Sequence, residues 1–133
     1  MDSNVVLRYL LNDHPDHSPR AKYLFEEAER GSHRLKVAAH ILREIVYVLE
    51  GEGYSRPDIC NALRQFFALR GVLVEDKRAV HEALLEFRDK GVDFSDALLA
   101  AIARGKQQRV WTFNKRQFSR MSVAWDEPPA HFG

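Results

Sequence analysis

The chain has 133 residues and a mass of 15.4 kDa, which is enough for one domain. Its hydrophobic share of 45% and charged share of 29% exclude a disordered chain, and seven Gly and five Pro are too few for collagen. No apolar run approaches the ~20 residues that cross a bilayer, and we expect no membrane association, no leader peptide and a cytoplasmic location. Because Cys60 is the single cysteine, an internal disulfide and a Cys-rich zinc site are both excluded.

Helical patterns with recognisable ends dominate the chain. The run Val5–Leu11 is apolar on nearly all sides, and its length and leucine content favour a helix. Residues 39–50 form an apolar helix with one polar stripe. Capping residues predict four further helices, with caps at Ser18, Ser55, Asp76 and Ser95.

Four short β-type runs lie between the helices. They are Leu35–Val37, Val72–Val74, Val110–Thr112 and Ser122–Trp125. Strands that alternate with helices of this length predict βα units, and therefore a parallel sheet with helices on both faces. Trp111, inside the third run, is predicted to belong to the core. The segment Asp126–Gly133 is predicted to fray.

Positive charge is concentrated in residues 104–120, although the net charge of the chain is only +1. This stretch contains no acid, and its cations are Arg104, Lys106, Arg109, Lys115, Arg116 and Arg120. The rest of the chain has 14 basic and 19 acidic residues. The stretch is either a strip that contacts phosphates or an ordinary solvated surface, and the sequence leaves both interpretations open.

Polar residues stand at the junctions between the predicted elements. They are Asp2, Glu44, Asp93, Asp96, Thr112 and Asn114. Because ligands collect beyond the carboxyl ends of parallel strands, one sheet could bring these residues to a single edge. Carboxylate oxygens gathered there would favour Mg²⁺ or Mn²⁺, which can activate water and neutralise charge on a phosphate.

Each of these acids also has a purely structural interpretation. Asp96 in the first turn of a helix is favourable with the helix dipole, whatever its function. Glu44 can be a solvated residue in a polar stripe, Asp2 a terminal charge and Asp93 an acid of a loop. Spacing alone leaves the choice open.

Four segments share their order and spacing with a known family. DSNVVLRYLL from Asp2 is similar to the DTNVLLRYL opening of PIN-domain ribonucleases, particularly of VapC-type toxins. ILREIVYVLE from Ile41 resembles the family's helix that bears the second acid. DFSDALLA from Asp93 resembles its DFADAL segment, and VWTFNK from Val110 resembles its TFDK segment. The resemblance covers essentially the whole chain, which we interpret as a single PIN-like domain over residues 1–133.

The resemblance implies a three-layer α/β fold, in which a parallel sheet of four to five strands has helices on both faces. Because only Met1 precedes Asp2, it also implies a truncated first strand. It implies an endoribonuclease that depends on Mg²⁺ or Mn²⁺, with Asp2, Glu44 and Asp96 as metal ligands and catalytic residues, and with Asp93 able to add a further ligand. Residues expected to support the site or contact substrate are Ser3, Asn4, Thr112, Asn114, Lys115 and Arg116.

The partners implied by the resemblance are an RNA substrate, a cognate antitoxin that covers a hydrophobic groove of the first helices, and a second copy in a homodimer. Asn114 stands where the family has a fourth acid, and an amide offers one neutral acceptor oxygen. We therefore expect one firm metal position and reduced activity. The alternative hypothesis is a PIN-fold protein that binds RNA or a protein without cleavage, and a metal-dependent DNase is disfavoured.

Overall fold

The computed structural model describes residues 1–130, over which helices and short strands alternate. The helices are α1 (Ser3–Leu11), α2 (His17–Glu29), α3 (Ala39–Gly51), α4 (Arg56–Phe67), α5 (Lys77–Asp89), α6 (Phe94–Gly105) and α7 (Lys115–Phe118). The strands are β1 (Leu35–Val37), β2 (Val72–Val74), β3 (Val110–Trp111) and β4 (Trp125–Asp126). Of the segment predicted to fray, Asp126 lies in β4, and residues 131–133 lie outside the described residues.

The chain divides into two compact units. The first is Met1–Glu75, with α1 to α4 and the strands β1 and β2, and the second begins at Asp76. A single domain over residues 1–133 therefore stays a prediction. None of the helices in residues 1–130 has the length and apolar character that crossing a bilayer requires.

An aromatic cluster forms the core of the first unit. α1 packs against α2 and α3, and α3 packs against α4. The buried rings of Phe25 and Phe66 meet edge to face, with their centroids 5.0 Å apart. Tyr9 packs on Phe25 at a centroid distance of 4.7 Å. Because each buried aromatic side chain contributes about 2–3 kcal/mol, this cluster is a main link between α1, α2 and α4.

The second unit is built on the pair α5 and α6, which pack against each other. Alanines make up most of the buried face of α6, together with Phe94 and Leu98, and Ala97, Ala100 and Ala101 are fully buried. Such small side chains allow two helices to approach closely. α6 also packs against β3 and α7, so the residues that follow β3 lie near α6.

The strands pair in parallel, as predicted. β1 pairs with β2 with Leu35 opposite Val72, and β3 pairs with β4 with Val110 opposite Trp125. The α/β class and the parallel pairing are therefore confirmed. The sheet of four to five strands is not confirmed, because the strands in residues 1–130 are hydrogen-bonded only as two separate pairs. The residues ahead of α1 form no strand, so the predicted truncated first strand adds nothing to either pair.

The predicted helix caps have mixed outcomes. Ser55 caps α4, because its Oγ accepts a hydrogen bond from the backbone N–H of Asp58 at 3.2 Å. The predicted cap Ser18 is wrong, since α2 already begins at His17. Ser18 is buried, and its Oγ instead accepts from the backbone N–H of His14 at 3.0 Å. The hydroxyl of Ser18 therefore stabilises the turn that precedes α2 and does not cap the N-terminus of the helix.

Candidate functional site

Asp2 is the N-cap of α1. Its backbone is extended (φ −82°, ψ 143°), and its Oδ1 accepts a hydrogen bond from the backbone N–H of Asn4 at 3.1 Å. The hydroxyl of buried Ser3 donates to the same oxygen at 3.4 Å. The carboxylate of Asp2 is exposed, and these two bonds orient it. Asp2, Ser3 and Asn4, predicted as ligand and supports, are thus in contact, and their functional roles stay predictions.

Glu44 lies in the second turn of α3, on the side of the helix that faces solvent. Leu42 and Ile45 on either side of it are buried, so the period of the helix turns Glu44 outward. α3 packs against α1, the helix that Asp2 caps. The first unit therefore carries two of the three predicted metal ligands, both of them exposed.

The other predicted acids stand at the start of α6. The predicted cap Ser95 is wrong, because α6 begins at Phe94 with Asp93 as its N-cap. The buried ring of Phe94 meets Phe87 edge to face at 6.3 Å, which draws residue 94 into the helix. Asp96 lies in the first turn and is half-buried. The N-terminus of the helix stabilises a negative charge in this position.

Hydrogen bonds around Asn114 hold the turn after β3 against the start of α6. The backbone N–H of Asn114 donates to Thr112 Oγ1 at 2.9 Å, and its side-chain amide donates to Asp96 Oδ2 at 3.4 Å. Asn114 Oδ1 accepts from the backbone N–H of Gln117 at 3.4 Å. Gln117 Oε1 in turn accepts from the backbone N–H of Asp93 at 2.8 Å. The second unit thus brings Asp93, Asp96, Thr112 and Asn114 together.

Two of the cations near this turn are paired with acids. Lys115 Nζ lies 3.2 Å from Glu127 Oε1, and Arg109 Nη1 lies 3.3 Å from Asp126 Oδ2. Both pairs are largely exposed, so they contribute little to stability. The side chain of Arg116 is exposed and makes no ion pair within residues 1–130. Within those residues no acid neutralises the charge of the Arg116 guanidinium.

The aromatic residues of the same segment face solvent. Trp111 is 60% exposed and Phe113 is 77% exposed. The prediction that Trp111 belongs to the core is therefore wrong. Val110 takes the inward position of β3, and consecutive residues of a strand point to opposite faces.

A comparison with models of protein families identifies the family of the chain. The profile of the PIN domain matches residues 1–124. The chain belongs to the PIN-domain family. PIN domains are generally nucleases that use divalent metals and act on RNA or DNA. A search of curated proteins finds no match to the chain.

The predicted ligands of this PIN-domain protein are distributed over both units. Asp2 and Glu44 belong to the first unit, and Asp93 and Asp96 belong to the second. Within each unit, as far as residue 130, no three His, Cys, Asp or Glu side chains lie close enough together to hold a metal ion. The donor chemistry nevertheless fits a hard cation, because every predicted ligand offers carboxylate oxygen, the donor that Mg²⁺ and Mn²⁺ prefer.

An acid that the sequence interpretation missed lies at the end of β2. Oε1 of Glu75 accepts a hydrogen bond at 3.3 Å from the backbone N–H of Ala39, the first residue of α3. In this PIN-domain protein a cavity of about 440 Å³ lies beside β1 and β2, and it is lined in part by Met1, Lys36 and Glu75. Because Glu75 directly follows β2, its position after a strand was the available signal. Gln117 was missed as well, and no motif marks it.

Proposed function

We propose that this protein is an endoribonuclease that depends on Mg²⁺ or Mn²⁺. The match of the PIN profile to residues 1–124 carries the proposal, because PIN domains are generally metal-using nucleases. We also propose that residues 1–133 act as one domain with the layered parallel sheet of that family. The parallel pairs β1–β2 and β3–β4 support this arrangement.

We assign Asp2, Glu44 and Asp96 as joint ligands of one divalent cation. When bound, the cation supplies activation of a water molecule and neutralises charge on the scissile phosphate. The chain's own contribution is orientation. Asp2 is held by the capping bonds at the start of α1, and Asp96 is held by the amide of Asn114. Hydrolysis of the phosphodiester by water would leave a 5′-phosphate and a 3′-hydroxyl.

The amide of Asn114 limits the site to one firm cation position. Asn114 donates a hydrogen bond to Asp96, so it serves the first acid instead of adding a negative charge. Asp93 is linked to Asn114 by two hydrogen bonds through Gln117, and it is the residue able to add a further carboxylate. We therefore propose a lower rate of cleavage than in family members with a fourth acid.

Lys115 and Arg116 are the proposed contacts to RNA phosphates. Both lie in α7, directly after the turn that holds Asp96. Lys115 must exchange its pairing with Glu127 for a phosphate, whereas Arg116 is already available. Phosphate contacts of this kind position the substrate without reading its sequence.

We further propose that the protein is a cytoplasmic toxin of the VapC type, that it forms a homodimer, and that a cognate antitoxin covers a groove between α1 and α2. The groove measures about 560 Å³. Val5, Ala21 and Leu24 give it an apolar floor, while Arg8 and Arg20 lie at its polar rim. This combination suits an amphipathic segment of a partner protein.

The test is cleavage of a 3′-labelled single-stranded RNA by the purified chain with Mg²⁺, with Mn²⁺ and with EDTA. We expect cleavage with either cation and none with EDTA. Asp96→Asn should lower the rate about 100-fold or more, because it removes a charged ligand. Asp2→Asn and Glu44→Gln should have similar effects.

Matched controls separate the site from general effects of lost charge. Asp89→Asn changes an exposed aspartate whose partner is its neighbour Arg88, and Glu52→Gln changes an exposed glutamate just beyond α3. Both variants should cleave like the parent chain. Full activity of Asp96→Asn would contradict the assignment and point to a contaminating nuclease.

The second candidate function is a PIN-domain protein that binds RNA or a protein without cleaving it. Asn114 favours this second function, because a neutral amide that donates a hydrogen bond to Asp96 stands where the family has a fourth acid. RNA binding without any cleavage at millimolar Mg²⁺ or Mn²⁺ would select this function over the nuclease.

A further inference from the structure

Two aromatic rings stand in solvent within the most basic stretch of the chain. Trp111 in β3 and Phe113 in the turn after it are 60% and 77% exposed. Within residues 1–130 neither ring packs against another aromatic ring. Burial of a large apolar side chain contributes about 1.5–3 kcal/mol, so a ligand that covers both rings would gain free energy that folding has left unused.

The charges around the two rings favour an anionic ligand. Arg109 precedes Trp111 by two positions, and Lys115 and Arg116 follow Phe113. Arg109 and Lys115 are paired with the acids of the last described segment, and Arg116 is exposed without an ion pair in residues 1–130. Exposed ion pairs cost little to break, so the paired cations can also turn to a phosphate.

We propose that Trp111 and Phe113 stack on bases of single-stranded RNA, and that Arg109, Lys115 and Arg116 contact its backbone. This inference rests on the proposed ribonuclease function and names the form of its substrate. Proteins that hold single strands combine aromatic platforms with cations in this way. Duplex RNA would not fit, because its bases are already stacked on one another and leave no face for a side chain.

The pattern of polarity argues against a protein partner at the same place. A protein interface has a contiguous apolar core, whereas here the two exposed rings do not pack against each other, and the exposed residues that follow them, Asn114, Lys115 and Arg116, are polar. Isolated rings set among cations suit bases joined by phosphates better than an apolar surface.

The platform is continuous with the candidate catalytic acid. Thr112, between the two aromatic residues, accepts the backbone N–H of Asn114 at 2.9 Å, and the amide of Asn114 reaches Asp96 at 3.4 Å. One turn therefore displays the rings and orients a proposed metal ligand. A strand held by the rings would have its backbone next to that acid.

The test measures binding in EDTA, where no cleavage occurs, by fluorescence anisotropy of a labelled oligouridylate of about eight nucleotides. Trp111→Leu and Phe113→Leu keep apolar side chains but remove the flat rings. Each should weaken binding about tenfold, the loss expected for one stacked base. Tyr23→Leu, which removes a 63% exposed ring from α2, is the matched control and should bind like the parent chain.

A second readout reports contact with the ring itself. Trp125→Phe leaves Trp111 as the single tryptophan, and stacking of a base should quench its fluorescence on addition of the oligonucleotide. Circular dichroism of each variant checks that the fold is retained. Unchanged affinity in both leucine variants, or no quenching of Trp111 at saturation, would overturn the inference.

Two further outcomes distinguish RNA stacking from the nuclease proposal and from a protein interface at the same rings. If the leucine variants lose RNA binding while the parent chain never cleaves RNA with Mg²⁺ or Mn²⁺, the stacking platform stands and the nuclease proposal falls. If the variants bind RNA normally but no longer form a dimer in analytical ultracentrifugation, the rings belong to a protein interface and the stacking platform falls.

Discussion

The side-chain amide of Asn114 donates a hydrogen bond to Oδ2 of Asp96, with the two atoms 3.4 Å apart. The bond links the turn after β3 to the first turn of α6. The side chain of Asn114 is also held by the backbone N–H of Gln117, which donates to its Oδ1, while the backbone N–H of Asn114 donates to Thr112 Oγ1. Asn114 is therefore a positioning residue for Asp96. An aspartate at this position would offer no donor and would place a second carboxylate beside the first.

Asn114→Asp should have opposite effects without and with a divalent cation. Without metal, loss of the donor and repulsion between carboxylates should cost about 1 kcal/mol, and lower the Tm by about 3–5 °C. With saturating Mg²⁺ the variant should gain more stability than the parent chain, because it binds the ion more tightly. Thermal unfolding at increasing Mg²⁺ measures both effects.

The control for this charge change is Asn61→Asp on the exposed face of α4. It should shift the Tm little, and equally with and without Mg²⁺. If Asn114→Asp leaves both the metal affinity and the cleavage rate unchanged, position 114 is not part of the metal site.

Thr112 should support cleavage through its hydroxyl. Thr112→Val keeps the shape of the side chain but removes the oxygen that accepts the Asn114 N–H. We expect about a tenfold lower cleavage rate, because the turn no longer holds the amide against Asp96. Thr112→Ser, which retains the oxygen, should keep most of the activity. Equal rates for the two variants would show that the hydroxyl has no such role.

Arg104 should be important for stability because it neutralises a buried acid. Its Nη2 lies 2.6 Å from Oε1 of Glu86, whose side chain is only 11% exposed, while Oε2 of Glu86 has no hydrogen-bond partner within residues 1–130. Arg104→Met should cost about 2–4 kcal/mol, since it leaves that carboxylate buried without a cation. Urea unfolding gives the free energy directly.

The double variant Arg104→Met with Glu86→Leu separates the charge from the packing. It should recover most of the lost free energy, because both members of the pair become apolar. A double variant less stable than Arg104→Met alone would mean that the packing of these side chains, rather than the unpaired charge, sets the cost.

Gly71 should be intolerant of any side chain. A Cβ at this position would lie 2.3 Å from the carbonyl oxygen of His33 and 2.6 Å from that of Ala28, and both atoms belong to the backbone. Gly71→Ala should therefore cost about 3 kcal/mol. Gly51→Ala, where nothing lies within 4 Å, should be neutral or stabilising by up to about 1 kcal/mol. Chemical unfolding of the two variants provides the comparison, and similar values would contradict it.

Residues whose local pattern agrees with their surroundings were predictable. The cap at Ser55 follows from signals within a few residues, and the α/β class and the parallel pairing follow from the alternation of helical and strand patterns along the chain. The prediction of a cap at Ser95 failed because Phe94 packs against Phe87 and enters the helix, and that of a cap at Ser18 failed because its hydroxyl bonds to the turn before the helix. The prediction that Trp111 belongs to the core failed because a strand pattern indicates that side chains alternate between two faces, but not which face is covered.

The sequence by itself determined the family and the order of the first six helices and of the four strands, and it nominated candidate acids, because these inferences depend on residue type and short spacing. It gave no sign of the short helix α7. Only the tertiary structure decided that Asn114 bonds to Asp96, that Glu75 caps α3 and that the rings of Trp111 and Phe113 face solvent. Each of these facts joins segments distant in the chain or depends on what covers a surface. Contacts of that kind are set by packing, which no local pattern encodes.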